Sequence, residues 1–129
     1  MTIGDAGTGS AGPVAAQGRL SVDTRRTSGA VVCTLKGELD LDSLAPARAV
    51  LEDAVESGPT RLVVDLAGVQ FCDSSGLNLL LQTRLAAQAA DVPLALTSLV
   101  PQVARVFEIT GAESVFTIHG SVEEAFAAR

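Results

Sequence analysis

The clearest indication of the fold is the stretch Leu62-Val63-Val64-Asp65-Leu66-Ala67-Gly68-Val69-Gln70-Phe71-Cys72-Asp73-Ser74-Ser75-Gly76-Leu77. Its first part, residues 62–66, is a short, largely apolar run that is typical of a buried parallel strand. We expect a loop through Phe71 and Cys72, anchored by its apolar residues, and then a helix over residues 75–90. A strand that leads into a helix is the repeating unit of α/β folds.

The flanking sequence continues this alternation of strands and helices. The runs 20–24 and 30–35 are rich in β-forming residues, and Ser28-Gly29 between them predicts a hairpin. Asp42 or Ser43 is the expected N-cap of an amphipathic helix over 43–57, whose apolar stripe is Leu44, Ala47, Leu51 and Val55. Further elements are expected as a strand at 93–97, a helix from Pro101 to Gly111, a strand at 115–118 and a helix at 121–128.

These elements predict an α/β fold with one domain over residues 19–129. Its mixed β-sheet is expected to pack with about four helices. The chain has 129 residues, which is the size of a single domain with a substantial core. Residues 1–18 are rich in Gly, Ala, Ser and Thr and lack any hydrophobic period, so we predict a disordered N-terminal tail there.

Composition excludes several kinds of partner. The chain carries nine Lys and Arg residues against 15 Asp and Glu residues, for a net charge of −6. Binding to nucleic acid or to an anionic membrane surface requires a basic patch, so neither is expected. We see no apolar stretch long enough to span a membrane and no signal peptide, and we expect a cytoplasmic protein. Cys33 and Cys72 form no CxxC pair, and no disulfide is expected.

The polar residues Asp73 to Gly76 carry the most chemical information. They lie where the carboxyl end of a predicted strand meets a helix N-terminus, which is a usual place for sites in α/β sheets. Asp and Ser are also preferred N-caps, so one reading is that this segment only starts a helix. Two adjacent serines need not both cap, and we expect one hydroxyl to face solvent. Phosphorylation of Ser74 would put a dianion on that surface.

The predicted helix after these serines has two sides. At 100° per residue, Leu77, Leu80, Leu81 and Leu85 cluster on the side expected to face the core. The opposite side is expected to carry Ser75, Leu79, Gln82 and Ala86. An outward-facing Leu79 near the serines is a candidate partner contact together with Gln82, although a single exposed leucine is also ordinary.

The sequence gives little support to the hypothesis that the protein is an enzyme, and no catalytic residue is predicted. Ser74 lacks the first glycine of a nucleophile elbow, because Cys72 stands two residues before it. The position six residues after Cys72 is Asn78, where a cysteine phosphatase needs an arginine. Asp40 and Asp65 could meet Asp73 at one sheet edge, but no His or Cys pattern accompanies them. We therefore expect no metal and no cofactor.

Several segments of the chain are similar to those of a known family. The matching segments resemble the STAS domain of bacterial anti-sigma factor antagonists, and the resemblance covers about residues 19–127. They are Gly37-Glu38-Leu39-Asp40, Val63-Val64-Asp65-Leu66, Val69, Phe71, Asp73-Ser74-Ser75-Gly76-Leu77, Pro101, Val106, Phe107 and Gly111. The chain differs from the shorter members in its longer N-terminal tail.

The resemblance implies a partner-switching mechanism. The unphosphorylated antagonist would bind an anti-sigma factor that is also a serine kinase, and the sigma factor would be released. That kinase, with its own ATP and Mg, would then phosphorylate the first serine of the motif, here Ser74, and a serine phosphatase would reverse the change. The residues that the resemblance places on the docking surface are Asp73, Ser75, Gly76, Glu38 and Asp40.

A second reading from another class remains open. The chain could be a STAS module without phosphorylation that serves as a soluble subunit of a lipid transporter or a sensory complex. The intact Asp73, Ser74 and Ser75 favour the antagonist reading over this one. The sequence does not identify the kinase, the sigma factor, the phosphatase or the oligomeric state.

Overall fold

The computed structural model describes residues 20–128, so the prediction of a disordered tail at 1–18 lies outside the described residues. The strands are β1 (Leu20–Thr27), β2 (Ala30–Leu39), β3 (Leu62–Cys72), β4 (Leu94–Thr97) and β5 (Ile118–His119). The helices are α1 (Leu44–Glu56), α2 (Ser74–Ala89), α3 (Pro101–Thr110) and α4 (Val122–Ala127). Two 3-10 helices lie at Leu41–Ser43 and Ala112–Ser114. The described residues confirm the predicted α/β class.

The described strands form one mixed sheet in the order β1-β2-β3-β4-β5. The β1–β2 pair is antiparallel, and the other three pairs are parallel. Ser28 and Gly29 join β1 to β2 with φ angles of 52° and 84°, as expected for a two-residue hairpin turn with left-handed residues. Because β2 to β5 are parallel, their carboxyl ends meet at one edge of the sheet.

The core is divided between the two faces of the sheet. Alternate side chains of β2, β3 and β4 pack against α1, α2 and α3 on the larger face. On the other face Val32, Val63 and Ala95 form a small cluster with Ala125 of α4. No helix within residues 20–128 has both the length and the apolar character needed to cross a bilayer.

Several sequence-based boundaries are wrong. Strands β1 and β2 run to Thr27 and Leu39, beyond their predicted ends at residues 24 and 35. Strand β3 does not end at residue 66 but runs to Cys72, so the predicted loop through Phe71 and Cys72 is strand. Its pairing with β2 continues because register shifts beside Lys36 and Gly37 absorb the irregularity. The strand expected at 115–118 is the short β5, because a 3-10 helix continues the chain after the left-handed Gly111.

Candidate functional site

Helix α2 begins at the carboxyl end of β3, and Asp73 is its N-cap. The Asp73 Oδ1 atom accepts a hydrogen bond of 3.0 Å from the Gly76 amide, as an N-cap carboxylate does. Ser74 is the first helical residue and is exposed, whereas Ser75 is half-buried. Since Asp73 supplies the cap, the Ser74 hydroxyl is not needed for it. The expectation that one of the two serines faces solvent is confirmed for Ser74.

The end of β2 packs tightly against this first turn of α2. The Asp73 amide donates to the Leu39 carbonyl oxygen at 3.3 Å. A Cβ atom added to Gly76 would lie 2.3 Å from that same oxygen, so only glycine allows this approach. Gly76 is buried, and its predicted part in partner binding stays a prediction. Its role is to bring β2 and α2 together.

Residues 38–43 follow the end of β2 and form a compact turn. Asp40 caps the 3-10 helix and accepts from the Asp42 amide at 3.2 Å. The Ser43 hydroxyl lies 2.7 Å from Asp40 Oδ1 and 2.9 Å from the Glu38 carbonyl oxygen. Glu38 and Asp40 are each half-buried, so part of each residue reaches the surface. This turn and the start of α2 form the candidate docking surface, defined here as residues 38–42 and 73–75.

Two apolar residues at this sheet edge were not recognised from the sequence as exposed. Leu41 is 70% exposed, and Phe71, which the sequence suggested as a buried anchor, is 49% exposed. Phe71 pairs with Glu38 across the register shift that follows Gly37, whereas Val69 and Cys72 on the same strand remain buried. A bulge beside Gly37 shifts the alternation of inward and outward side chains along the paired strand. A glycine within the strand pattern is therefore the sequence signal that could have revealed the exposure of Phe71.

The predicted outward position of Leu79 is also wrong. Leu79 is 2% exposed because α1 covers this side of α2. A partly open groove of about 50 Å³ lies between the two helices, and its lining includes Leu51, Val55 and Leu79. Leu85, expected in the core, is instead 58% exposed. A helix that packs on both a sheet and another helix has two buried sides, and periodicity alone does not tell them apart.

Gln82 is exposed, as the sequence predicted, but it lies away from the serines. Its Oε1 atom accepts a hydrogen bond of 2.6 Å from Arg48 of α1. Eight residues of helix separate it from Ser74, which is roughly 12 Å along the axis. The structure therefore places Gln82 on the rim between α1 and α2, and its role in partner binding stays a prediction.

Cys72 lies next to the cap but is not suited to nucleophilic chemistry. Burial, with a smaller contribution from the charge of Asp73, raises the pKa of the Cys72 thiol to about 12. The thiol is therefore protonated at neutral pH, whereas a reactive cysteine requires the thiolate. The interpretation of Cys72 as a small buried apolar residue is confirmed.

The carboxylates considered for a metal site serve the backbone instead. Asp40, Asp65 and Asp73 each accept a hydrogen bond from a backbone amide two or three residues further on. Within residues 20–128, no group of three or more His, Cys, Asp or Glu side chains is arranged to hold a metal ion.

Comparison with known proteins identifies the family to which this fold belongs. The model of the STAS domain family matches residues 21–125. BtrV of Bordetella bronchiseptica, which is described as an anti-sigma factor antagonist, is 31% identical over 110 residues, covering 85% of this chain and 93% of BtrV. An anti-sigma factor antagonist from Mycobacterium paratuberculosis superposes with a TM-score of 0.76 at 25% identity, covering 84% of this chain and 92% of that chain.

A further solved relative is known in two states. The anti-sigma factor antagonist SpoIIAA in its unphosphorylated form is 27% identical, with a TM-score of 0.69 and coverage of 81% of this chain and 92% of SpoIIAA. Its phosphorylated form, from Bacillus, also matches at 27% identity, with a TM-score of 0.64 and coverage of 82% and 96%. The chain belongs to the STAS domain family, and within it to the family of anti-sigma factor antagonists.

Proposed function

We propose that this protein is an anti-sigma factor antagonist whose unphosphorylated form binds an anti-sigma factor with serine kinase activity and thereby releases a sigma factor. Phosphorylation of Ser74 ends that binding, and a serine phosphatase restores it. The protein acts in the cytoplasm as a binding switch and catalyses no reaction itself. The exposure of Ser74 at the start of α2 carries this proposal, because a kinase can reach that hydroxyl without unfolding the domain.

Local electrostatics explain how one phosphate changes binding without disrupting the fold. A phosphoserine brings a charge of about −1.5 to −2. The positive end of the α2 dipole attracts that charge, whereas the neighbouring Asp73 carboxylate repels it. Asp73 already caps the helix, so the phosphate replaces no hydrogen bond that α2 needs. The main change is at the surface, where a small neutral hydroxyl becomes a bulky anion.

The cost of that change falls on the complex. A partner packed against Ser74 would have to desolvate the phosphate and make room for it, at a cost of several kcal/mol. Each loss of about 1.4 kcal/mol weakens binding tenfold, so a complex of moderate affinity would dissociate. Relatives described as antagonists, one of them solved with and without phosphate, support this reading.

The proposal is tested by mapping the phosphosite. The full chain is incubated with ATP, Mg and each anti-sigma kinase of the same genome, and the modified peptide is identified by mass spectrometry. We expect one phosphate on Ser74, with Ser75→Ala still modified and Ser74→Ala unmodified. Modification confined to residues 1–19, or to Ser75, would contradict the proposal.

The alternative, a module without phosphorylation in a transporter or sensory complex, makes the opposite prediction. In that case no anti-sigma kinase would modify or bind the wild-type chain. Genes for a transporter, in place of a sigma factor and a kinase, would then be expected beside this one. The exposed Ser74 next to its Asp73 cap favours the antagonist.

A further inference from the structure

The turn after β2 presents one large apolar side chain to solvent. Leu41 is among the most exposed large apolar residues of the described chain and lies between Asp40 and Asp42 in the sequence. Single exposed leucines are common on protein surfaces, so exposure alone assigns no role. The way in which the turn holds Leu41 distinguishes it.

A buried serine braces this turn from within. Ser43 is 1% exposed, and its hydroxyl lies between Asp40 Oδ1 and the Glu38 carbonyl oxygen. The hydroxyl has a single proton, so the two acceptors share it, and the shorter contact is to the charged Asp40. The Ser43 amide also donates to the Asp40 carbonyl oxygen at 3.0 Å. Leu41 is therefore held between two fixed points, which removes part of the entropy cost of binding.

The same turn is fixed relative to Ser74. Leu39, two residues before Leu41, accepts from the Asp73 amide and lies in contact range of Gly76. The backbone that carries Leu41 and the backbone that carries Ser74 are thus joined through Leu39. Because Leu39 joins the two backbones, a partner docked at Ser74 lies next to the turn that carries Leu41.

We propose that Leu41 is the apolar anchor of partner binding and that Ser43 is the positioning residue that holds it outward. This rests on the proposed function. The occupant is the anti-sigma kinase, through an apolar pocket rimmed by Lys and Arg side chains. Charge complementarity indicates this chemistry, because three acidic residues, Glu38, Asp40 and Asp42, lie within three positions of Leu41 in a chain of net charge −6.

The first test measures affinity for the kinase that the wild-type chain binds, by calorimetric titration of the full chain. Leu41→Ser is compared with Leu85→Ser, which makes the same change at a similarly exposed leucine on α2. We expect at least a tenfold loss for Leu41→Ser, a loss below twofold for Leu85→Ser, and weaker wild-type binding at high salt. Equal affinities of wild type and Leu41→Ser would overturn the anchor role.

The second test addresses Ser43 with a readout that needs no partner. Ser43→Ala is compared with Ser57→Ala, which removes another serine hydroxyl, bonded to the Ala54 carbonyl oxygen at 2.8 Å at the far end of α1. We expect the Asp42 amide to exchange with solvent at least threefold faster by NMR, and the kinase to bind at least threefold more weakly, only in Ser43→Ala. An unchanged Asp42 exchange rate would overturn the positioning role.

The outcomes separate the two proposals. If no anti-sigma kinase binds the wild-type chain, the proposed function fails and this inference fails with it. If the kinase binds wild type and Leu41→Ser alike, only the inference fails. If the wild-type chain sediments as a dimer and Leu41→Ser abolishes that dimer, the surface binds a second copy of the chain. If Leu41→Ser changes the NMR shifts of residues 1–19 only, the surface binds the N-terminal segment. Either result would overturn the proposed occupant.

Discussion

The first and second turns of α2 have opposite surroundings. Ser74 in the first turn is exposed, whereas Leu79 in the second turn is buried against α1. A solvent-facing serine was expected because two adjacent serines need not both cap the helix, and an outward Leu79 was expected from helical periodicity. Only the second expectation fails, because α1 packs beside Leu79. The comparison teaches that the later turns of this side serve stability, while the start of the helix remains open for binding.

The largest expected effect concerns the buried side of this comparison. Leu79→Ala should lower the free energy of unfolding by about 3 kcal/mol, because it enlarges the space between α1 and α2. Leu85→Ala, at an exposed position of the same helix, should change it by less than about 0.5 kcal/mol. Urea denaturation measures both. Similar values for the two variants would show that α1 does not cover Leu79.

Gly76 tests whether the first turn also contains a structural residue. Gly76→Ala should destabilise the protein by about 2 kcal/mol, because the new methyl group would collide with the Leu39 carbonyl oxygen. At an unconstrained helical position the same change stabilises the protein by about 0.5–1 kcal/mol. The sign of the change in unfolding free energy therefore shows whether Gly76 is tightly packed. A stabilised Gly76→Ala variant in thermal unfolding would contradict the close packing of β2 on α2.

Asp73 allows the cap to be separated from the charge. Asp73→Ala should cost about 1 kcal/mol of stability through loss of the hydrogen bond to the Gly76 amide. Asp73→Asn keeps an acceptor of nearly equal capping strength, and its stability should stay within a few tenths of a kcal/mol of wild type. Urea denaturation at neutral pH compares the three proteins. A large loss in Asp73→Asn would mean that the carboxylate charge, and not the cap, stabilises this turn.

Gln82 gives the smallest expected effect. Gln82→Ala removes an exposed hydrogen bond to Arg48 and should change the unfolding free energy by about 0.5 kcal/mol or less. Because Gln82 is roughly 12 Å from Ser74 along the helix, we expect kinase affinity to change less than twofold. A tenfold loss of kinase affinity in a calorimetric titration would show that the docking surface extends along α2. The later turns of the helix would then serve binding as well as stability.

Much of the fold was predictable from local patterns. The hairpin at Ser28-Gly29, the stripe of α1 and the Pro101-to-Gly111 helix follow from turn chemistry, periodicity and capping. An exposed serine at the start of α2 also followed, since two adjacent serines need not both cap a helix.

The remaining differences depend on tertiary contacts. The burial of Leu79 depends on where α1 lies, which its own periodicity does not specify. The exposure of Phe71 depends on register shifts between β2 and β3, and the brace of Leu41 on the hydroxyl of Ser43. Predicting such features requires knowing where two elements lie relative to each other. The sequence of a single segment indicates only the hydrophobic period of that segment.

The most direct measurement compares the affinity of one anti-sigma kinase for this protein before and after stoichiometric phosphorylation of Ser74. Calorimetric titration with a non-hydrolysable ATP analogue keeps the phosphorylation state fixed during the measurement. We predict that the phosphate weakens binding by about 100-fold or more, which is a loss of about 2.7 kcal/mol, while the unfolding temperature changes little. Equal affinity of the two forms would contradict the proposal that Ser74 is the switch.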